Sequence, residues 1–122
     1  MLEIKFLLVS ILSAITLIHY HRSRYPLIFR QQYPCIHRHE SLDWHRRLDW
    51  RRQLSDFHGG MQILISTWQK FAPKSFPRDP ADATKKQQIF VTFRIWEANG
   101  RVWGRGLIGD QWPNSAMECG LR

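Results

Sequence analysis

Cysteine is scarce in this chain: its 122 residues include two, Cys35 and Cys119. Two cysteines cannot build a disulfide-dense scaffold, which excludes the small knotted toxins. The pair would stay free in a reducing compartment and can form a bond in a secreted protein, so the sequence leaves their state open. The chain also has no Asn-x-Ser/Thr sequon, so nothing in it marks exposure to a secretory lumen.

Long apolar runs are scarce as well, and the clearest is the uncharged stretch at residues 6–18. A spanning helix needs about 20 apolar residues and a signal-peptide core about 7–15, so the run is short for the first and fits the second. However, the best small-x-small cleavage triplet, Ala14-Ile15-Thr16, lies inside the run. We therefore interpret residues 1–20 as an uncleaved hydrophobic membrane anchor, with a cleaved signal peptide and a buried soluble helix as alternatives.

Acidic residues are few beside basic ones: ten Asp and Glu against eighteen Lys and Arg give a net charge of +8. Because arginines follow the apolar run, the positive-inside rule predicts a single-pass protein with residues 19–122 on the cytoplasmic side; secretion is the alternative. Arginine binds phosphate well, which predicts contact with anionic lipid or, without an anchor, with nucleic acid or another polyanion. The candidate residues are Arg22, Arg24, Arg30, Arg46, Arg47, Arg51 and Arg52.

The segments after the anchor follow from proline, glycine and periodicity. Residues 21–40 form an Arg/His-rich juxtamembrane segment, extended because Pro26 and Pro34 disfavour helix before them. Residues 41–72 are predicted to be helical: Ser41 is a good N-cap, Gly59-Gly60 would end a first helix, and an apolar stripe with helical spacing follows from residue 61 to residue 71. Three prolines make residues 73–88 a linker.

The strongest strand signal lies near the C-terminus, where β-branched and aromatic residues flank Asn99-Gly100. Asn-Gly between two such runs predicts a β-hairpin over residues 89–109. Trp96 then faces Trp103 across the hairpin, and the two are candidate partner-binding residues. Residues 110–122 are predicted to be an irregular tail. The fold class is therefore α+β: an N-terminal anchor helix, one or two short helices and a C-terminal hairpin.

Recognisable catalytic patterns are absent from the sequence. There is no Gly-x-Ser-x-Gly, and the Gly104–Gly109 stretch that matches G-x-G-x-x-G lies in a predicted strand instead of opening a helix. Cys35-x-His37-x-His39 lacks the paired spacing that zinc sites use. The sequence thus predicts no catalytic residue, no metal and no cofactor.

These features together predict a non-enzymatic single-pass membrane protein, such as an accessory or assembly subunit with a protein partner in a larger complex. One alternative is a basic secreted or soluble protein that binds nucleic acid or another polyanion. A second is an open reading frame with little selected function.

Overall fold

The computed structural model describes residues 24–47 and 56–121, which form four helices and two antiparallel hairpins. This confirms the α+β class. The helices are α1 Leu27–Glu40, α2 Ile65–Phe71, α3 Lys85–Ala98 and α4 Pro113–Glu118, with a 3₁₀-helix at Pro80–Asp82. The strands are β1 Phe57–His58, β2 Ile63–Leu64, β3 Gly104–Gly106 and β4 Gly109–Gln111. β1 pairs with β2, and β3 pairs with β4.

The chain divides into two compact units, Met1–Gln31 and Gln32–Arg122. In the first unit the described residues are 24–31, where the rings of Tyr25 and Phe29 lie 5.4 Å apart. The predicted anchor at residues 1–20 lies outside the described residues. Among the helices that the structure describes, none is long and apolar enough to cross a membrane.

Helix α1 corrects the extended conformation predicted around Pro34, which stands inside the helix. Proline removes one helical hydrogen bond and restricts the residue before it, so local preference opposes this helix. Tertiary interactions of the two residues after the proline outweigh that cost. Cys35 is bonded to Cys119, and Ile36 is fully buried.

Residues 41–47 form a turn in place of the predicted first helix. Residues 48–55 lie outside the described part of the chain, and Phe57–His58, which the prediction also made helical, form β1. The Ser41 hydroxyl accepts from the Asp43 N–H at 3.0 Å, a bond within the turn. Trp44 stacks on His37 with ring centroids 4.0 Å apart. A Cβ at Gly60 would lie 2.4 Å from Trp44, so glycine is required for this close approach. Long-range packing therefore sets the conformation here.

The apolar stripe predicted as a helix from residue 61 is confirmed in its second half, where α2 runs from Ile65 to Phe71. Its first residues belong to the β1–β2 hairpin instead, in which His58 pairs with Ile63. The predicted linker is irregular up to the 3₁₀-helix, and its last residues, 85–88, begin α3.

Helix α3 overturns the first strand of the predicted hairpin. Thr84 caps it: its hydroxyl accepts from the Gln87 N–H at 3.2 Å, and the Gln87 side chain accepts from the Thr84 N–H at 3.0 Å. Its buried face follows helical spacing through Gln88, Thr92 and Ile95. Two polar residues, Gln88 and Thr92, interrupt a buried face that otherwise consists of Ile89, Val91, Ile95 and Trp96, which weakens the apolar stripe that indicates a helix.

Asn99-Gly100 ends helix α3 and does not turn a hairpin. Gly100 has φ of +85°, its N–H donates to the Glu97 carbonyl, and the Arg101 N–H donates to the Trp96 carbonyl. These two bonds form a Schellman cap. Asn-Gly is favoured both in this cap and in a tight hairpin turn. The actual hairpin is β3–β4, with Arg105 opposite Asp110.

The predicted irregular tail instead contains helix α4, Pro113–Glu118. Proline at the first helical position is favourable because its missing N–H has no helical partner there. The preceding residue, Trp112, has a left-handed backbone (φ 53°), and its indole N–H donates to the Met61 carbonyl at 2.6 Å. This buried bond fixes where α4 begins.

Gln88 joins three separate segments through one buried amide. Its side-chain nitrogen donates to the carbonyls of Trp44 and Ala83, at 2.6 and 3.0 Å, and its oxygen accepts from the Gly60 N–H at 2.8 Å. The side chain is fully buried. Water therefore cannot replace these bonds if the amide is removed.

We expect Gln88→Met to lower the free energy of unfolding by about 3 kcal/mol, because it keeps the side-chain size and leaves the three buried backbone groups unpaired. Urea denaturation followed by tryptophan fluorescence measures the change. The matched control is Lys86→Met on the exposed side of the same helix. Equal stability of the two variants would show that the amide does not join these segments.

Candidate active site

A cleft of about 490 Å³ lies in the second unit. It is lined by the end of α1, the β1–β2 hairpin with the start of α2, Ile95 of α3, β4 and the start of α4. The lining is mixed, with apolar side chains beside amide, hydroxyl and carboxyl groups. Its polar members are Glu40, Gln62, Thr67, Asp110, Gln111 and Asn114.

Glu40 is the half-buried carboxyl group of this cleft and the last residue of α1. Burial raises its pKa above the usual range, and the nearby Glu118 charge acts in the same direction. A hydrogen bond from Ser115 and the charge of His39 oppose this effect. A carboxyl group that keeps its proton to higher pH, in a cleft, is suited to general acid catalysis.

The hydrogen bond to Glu40 comes from helix α4, which lies far from it in the sequence. The Ser115 hydroxyl donates to Oε1 of Glu40 at 2.6 Å, and Ser115 is 3% exposed. Two more bridges join the same helices: the Cys35–Cys119 disulfide, with Cα atoms 6.1 Å apart, and an ion pair of His39 with Glu118 at 2.5 Å. Glu40 is thus held by an element distant in sequence.

The cluster of Cys35, His39 and Cys119, close to Glu40, is not a set of metal ligands. The side-chain ligand atoms of Cys35, His39 and Cys119 lie within 4.8 Å of one another. Since the two sulfur atoms are bonded to each other, neither is a thiolate that could bind a metal.

The predicted polyanion-binding arginines are not gathered into one described site. Arg22, Arg51 and Arg52 lie outside the described residues, and Arg24 and Arg30 belong to the first unit. In the second unit, the guanidinium group of Arg47 pairs with Asp79 and Asp82, and Arg46 is exposed. Binding of anionic lipid or a polyanion by these residues stays a prediction.

The two candidate partner-binding residues are buried, Trp96 at 1% and Trp103 at 3% exposure. Their ring centroids lie 6.1 Å apart, a helix-to-loop contact and not the cross-strand pair that was predicted. The Trp103 indole N–H donates to Gln32 at 2.8 Å. Burial removes the exposed hairpin face on which partner binding rested, and their partner role stays a prediction.

Sequence reasoning missed Glu40, Ser115 and the other cleft residues. Glu40 lies among arginines and histidines and belongs to no motif, and the residues opposite it were predicted to be an irregular tail. The available signal was the pair Cys35 and Cys119, because a bond between them brings residues 35–40 close to residues 115–119. The sequence left that pairing open.

Comparison with known proteins points to an enzymatic domain. Residues 50–105 match the family described as Transglycosylase-like domain. The chain is 34% identical over 65 residues to Resuscitation-promoting factor Rpf1 of Corynebacterium glutamicum, which is 53% of this chain and 30% of that protein. The chain thus aligns with about 30% of the length of this curated relative. No solved structure matches.

These similarities correct the functional predictions. The prediction that the chain is not an enzyme is wrong, because it matches a domain family named for a catalytic activity. The predicted non-enzymatic single-pass membrane protein is contradicted by the same match, as are the alternatives of a polyanion-binding protein and of a reading frame with little selected function. Gln62, Thr67 and Ile95 of the cleft lie within the matched stretch, whereas Glu40 and Ser115 lie outside it.

We expect Glu40→Gln to stabilise the protein increasingly as the pH rises. Because the pKa of Glu40 is raised by burial, the folded chain binds this proton more tightly than the unfolded chain does. The free energy of unfolding therefore falls as the pH rises from about 4.3, the unperturbed value for Glu, through the folded pKa. Glutamine does not titrate, so it removes that loss.

Urea denaturation of both proteins between pH 4 and pH 8 measures this difference. Glu97→Gln serves as the control for removing an exposed carboxyl group outside the cleft. A difference between Glu40→Gln and wild type that is constant over the whole pH range would contradict the burial effect.

Proposed function

We propose that this chain is a secreted enzyme that cleaves glycosidic bonds of peptidoglycan by transferring a glycosyl group, with Glu40 as the general acid. The observation that carries the proposal is the half-buried Glu40 carboxyl group, with its raised pKa, in the cleft. The similarity to the Transglycosylase-like domain gives the reaction class.

Breaking a glycosidic bond requires a proton on the departing oxygen, since an alkoxide is a poor leaving group. An ordinary surface carboxyl group has lost its proton near neutral pH. Burial raises the pKa of Glu40 and so keeps more of it protonated there, which matches the environment of acids that act in this chemistry. Glu40 then donates its proton to the oxygen as the bond to the sugar carbon breaks. A hydroxyl group of the same or another sugar bonds to that carbon and loses its proton, which returns to the Glu40 carboxylate.

Asp110 is the second carboxyl group that lines the cleft, and it is exposed. It is the middle residue of β4. Most glycoside-cleaving enzymes use two carboxyl groups, the second acting on the sugar carbon or on a water molecule. Asp110 is the candidate for that role, and its variant tests whether one carboxyl group is sufficient.

The rest of the lining suits a sugar polymer. Amide and hydroxyl side chains can pair with sugar hydroxyl and acetamido groups, and Phe57 presents an aromatic ring that is 44% exposed. Aromatic rings offer an apolar surface to the flat face of a sugar ring. Peptidoglycan, a polymer of acetylated amino sugars, combines these features.

Secretion is supported by two features of the chain. The Cys35–Cys119 disulfide is of a kind that persists in oxidising compartments outside the cytosol. The apolar run at residues 6–18 has the length of a signal-peptide core. The proposed location is therefore outside the cytoplasm, in contact with the cell wall.

We expect Glu40→Gln to lower the rate of glycan release from purified peptidoglycan about 100- to 10,000-fold, because the amide cannot donate the catalytic proton. The full chain is produced in an oxidising compartment so that the disulfide forms. Loss of turbidity gives the rate, and Glu97→Gln provides the matched control. Release by Glu40→Gln at the wild-type rate would contradict the assignment of Glu40.

Mass spectrometry of the released fragments separates glycosyl transfer from hydrolysis. Hydrolysis adds one water molecule to each cleaved bond, whereas transfer within the sugar or to another sugar hydroxyl does not. The proposed reaction gives fragments without the added water. Asp110→Asn, measured in the same assay, loses activity if the second carboxyl group takes part.

A further inference from the structure

We propose that Ser115 is the positioning residue of this site: its hydroxyl group holds the Glu40 carboxyl group in place from the opposite helix. The catalytic consequence rests on the proposed function, whereas the hydrogen bond itself does not. Its Oγ lies 2.6 Å from Oε1 of Glu40, a distance typical of a strong bond between a hydroxyl and a carboxylate. A hydroxyl can also accept from the protonated acid, so the contact is available in both states.

Ser115 is held more firmly than a surface serine would be. It is 3% exposed, and its carbonyl accepts from the Cys119 N–H at 2.9 Å. The Ala116 N–H donates to the Trp112 carbonyl at 2.9 Å, and the Trp112 indole is itself bonded to the Met61 carbonyl. The hydroxyl therefore approaches Glu40 from a fixed backbone.

Neighbouring bridges keep the two helices in register around this bond. The disulfide lies four residues after Ser115, at Cys119 directly after α4, and the ion pair of His39 with Glu118 lies beside it. His39 and Glu118 are 37% and 56% exposed in their side chains, so solvent screens that pair. The disulfide and the buried Ser115 bond are thus the two bridges that fix the geometry.

The hydroxyl also acts on the charge of Glu40. Burial raises the pKa of this group, and the bond from Ser115 opposes it by stabilising the ionised form. The other charged groups around it are His39 on α1, Glu118 on α4 and Asp110 at the cleft wall. Arg38, Asp43 and Arg46 line the neighbouring depression, which Glu40 also borders. Of all these, Ser115 is the group that bonds the Glu40 carboxyl directly.

The resulting prediction concerns the pKa of Glu40. Ser115→Ala removes a donor to the ionised form, so we expect the pKa of Glu40 to rise. Titration of the Glu40 side-chain carboxyl carbon by NMR follows this directly in wild type and variant, without any substrate. Ser66→Ala, an exposed serine of α2, is the matched control and leaves the titration unchanged.

Activity gives the second readout. A general acid is active while it is protonated. In Ser115→Ala the alkaline limb of the pH–rate profile should therefore move to higher pH, together with the raised pKa of Glu40. The maximal rate should fall about tenfold, because the carboxyl group loses the bond that orients it. Ser115→Thr and Ser115→Val introduce side chains of similar shape, of which only threonine has a hydroxyl group. The threonine variant should therefore keep the wild-type pKa of Glu40, whereas the valine variant should show the raised pKa of the alanine variant.

The outcomes separate the two proposals. A raised pKa in the alanine and valine variants supports the role of Ser115, even if wild-type protein releases no glycan, which would overturn the proposed function alone. An unchanged Glu40 titration in folded Ser115→Ala, or equal titrations in the threonine and valine variants, would overturn the role of Ser115.

Discussion

The disulfide between Cys35 and Cys119 is the constraint on which the candidate site depends. It joins residues separated by 84 positions and places the end of α1 beside α4. Closing a loop of that length restricts the unfolded chain, by about 4.6 kcal/mol in the chain-entropy view. Since Glu40 and Ser115 lie within about one turn of these cysteines, the bond that stabilises the fold also assembles the site. A covalent bridge is well suited to this because α4 is only six residues long.

The chemistry of Glu40 follows from where α1 ends. A glutamate on an exposed helix surface is a solubilising charge, but this one lines a cleft together with Trp112 and is bonded to Ser115. Partial burial raises its pKa, and the serine hydroxyl limits the rise. The same group therefore lowers stability at high pH, and in the proposed function it supplies the catalytic proton.

The largest difference between sequence and structure lies at residues 85–100. The run from Ile89 is rich in β-branched and aromatic residues, which favours a strand, and Asn99-Gly100 favours a tight turn. In the fold, the Thr84–Gln87 capping box begins a helix, and Asn99-Gly100 ends it. Gln88 and Thr92 on its buried face are polar and bond to backbone carbonyls or amides, so they interrupt the apolar pattern that indicates a buried helix. Tertiary bonding decided the outcome.

The sequence by itself determined the α+β class, the second half of the stripe that became α2, and the presence of a cysteine pair able to bond. These depend on local spacing and residue type, which a linear reading contains. Only the tertiary structure decided that the pair forms, that residues 113–118 are helical, and that Glu40 of the cleft is bonded to Ser115. The reason is physical: burial of a carboxyl group, and so its proton affinity, depends on groups that are near in space and far apart in the chain.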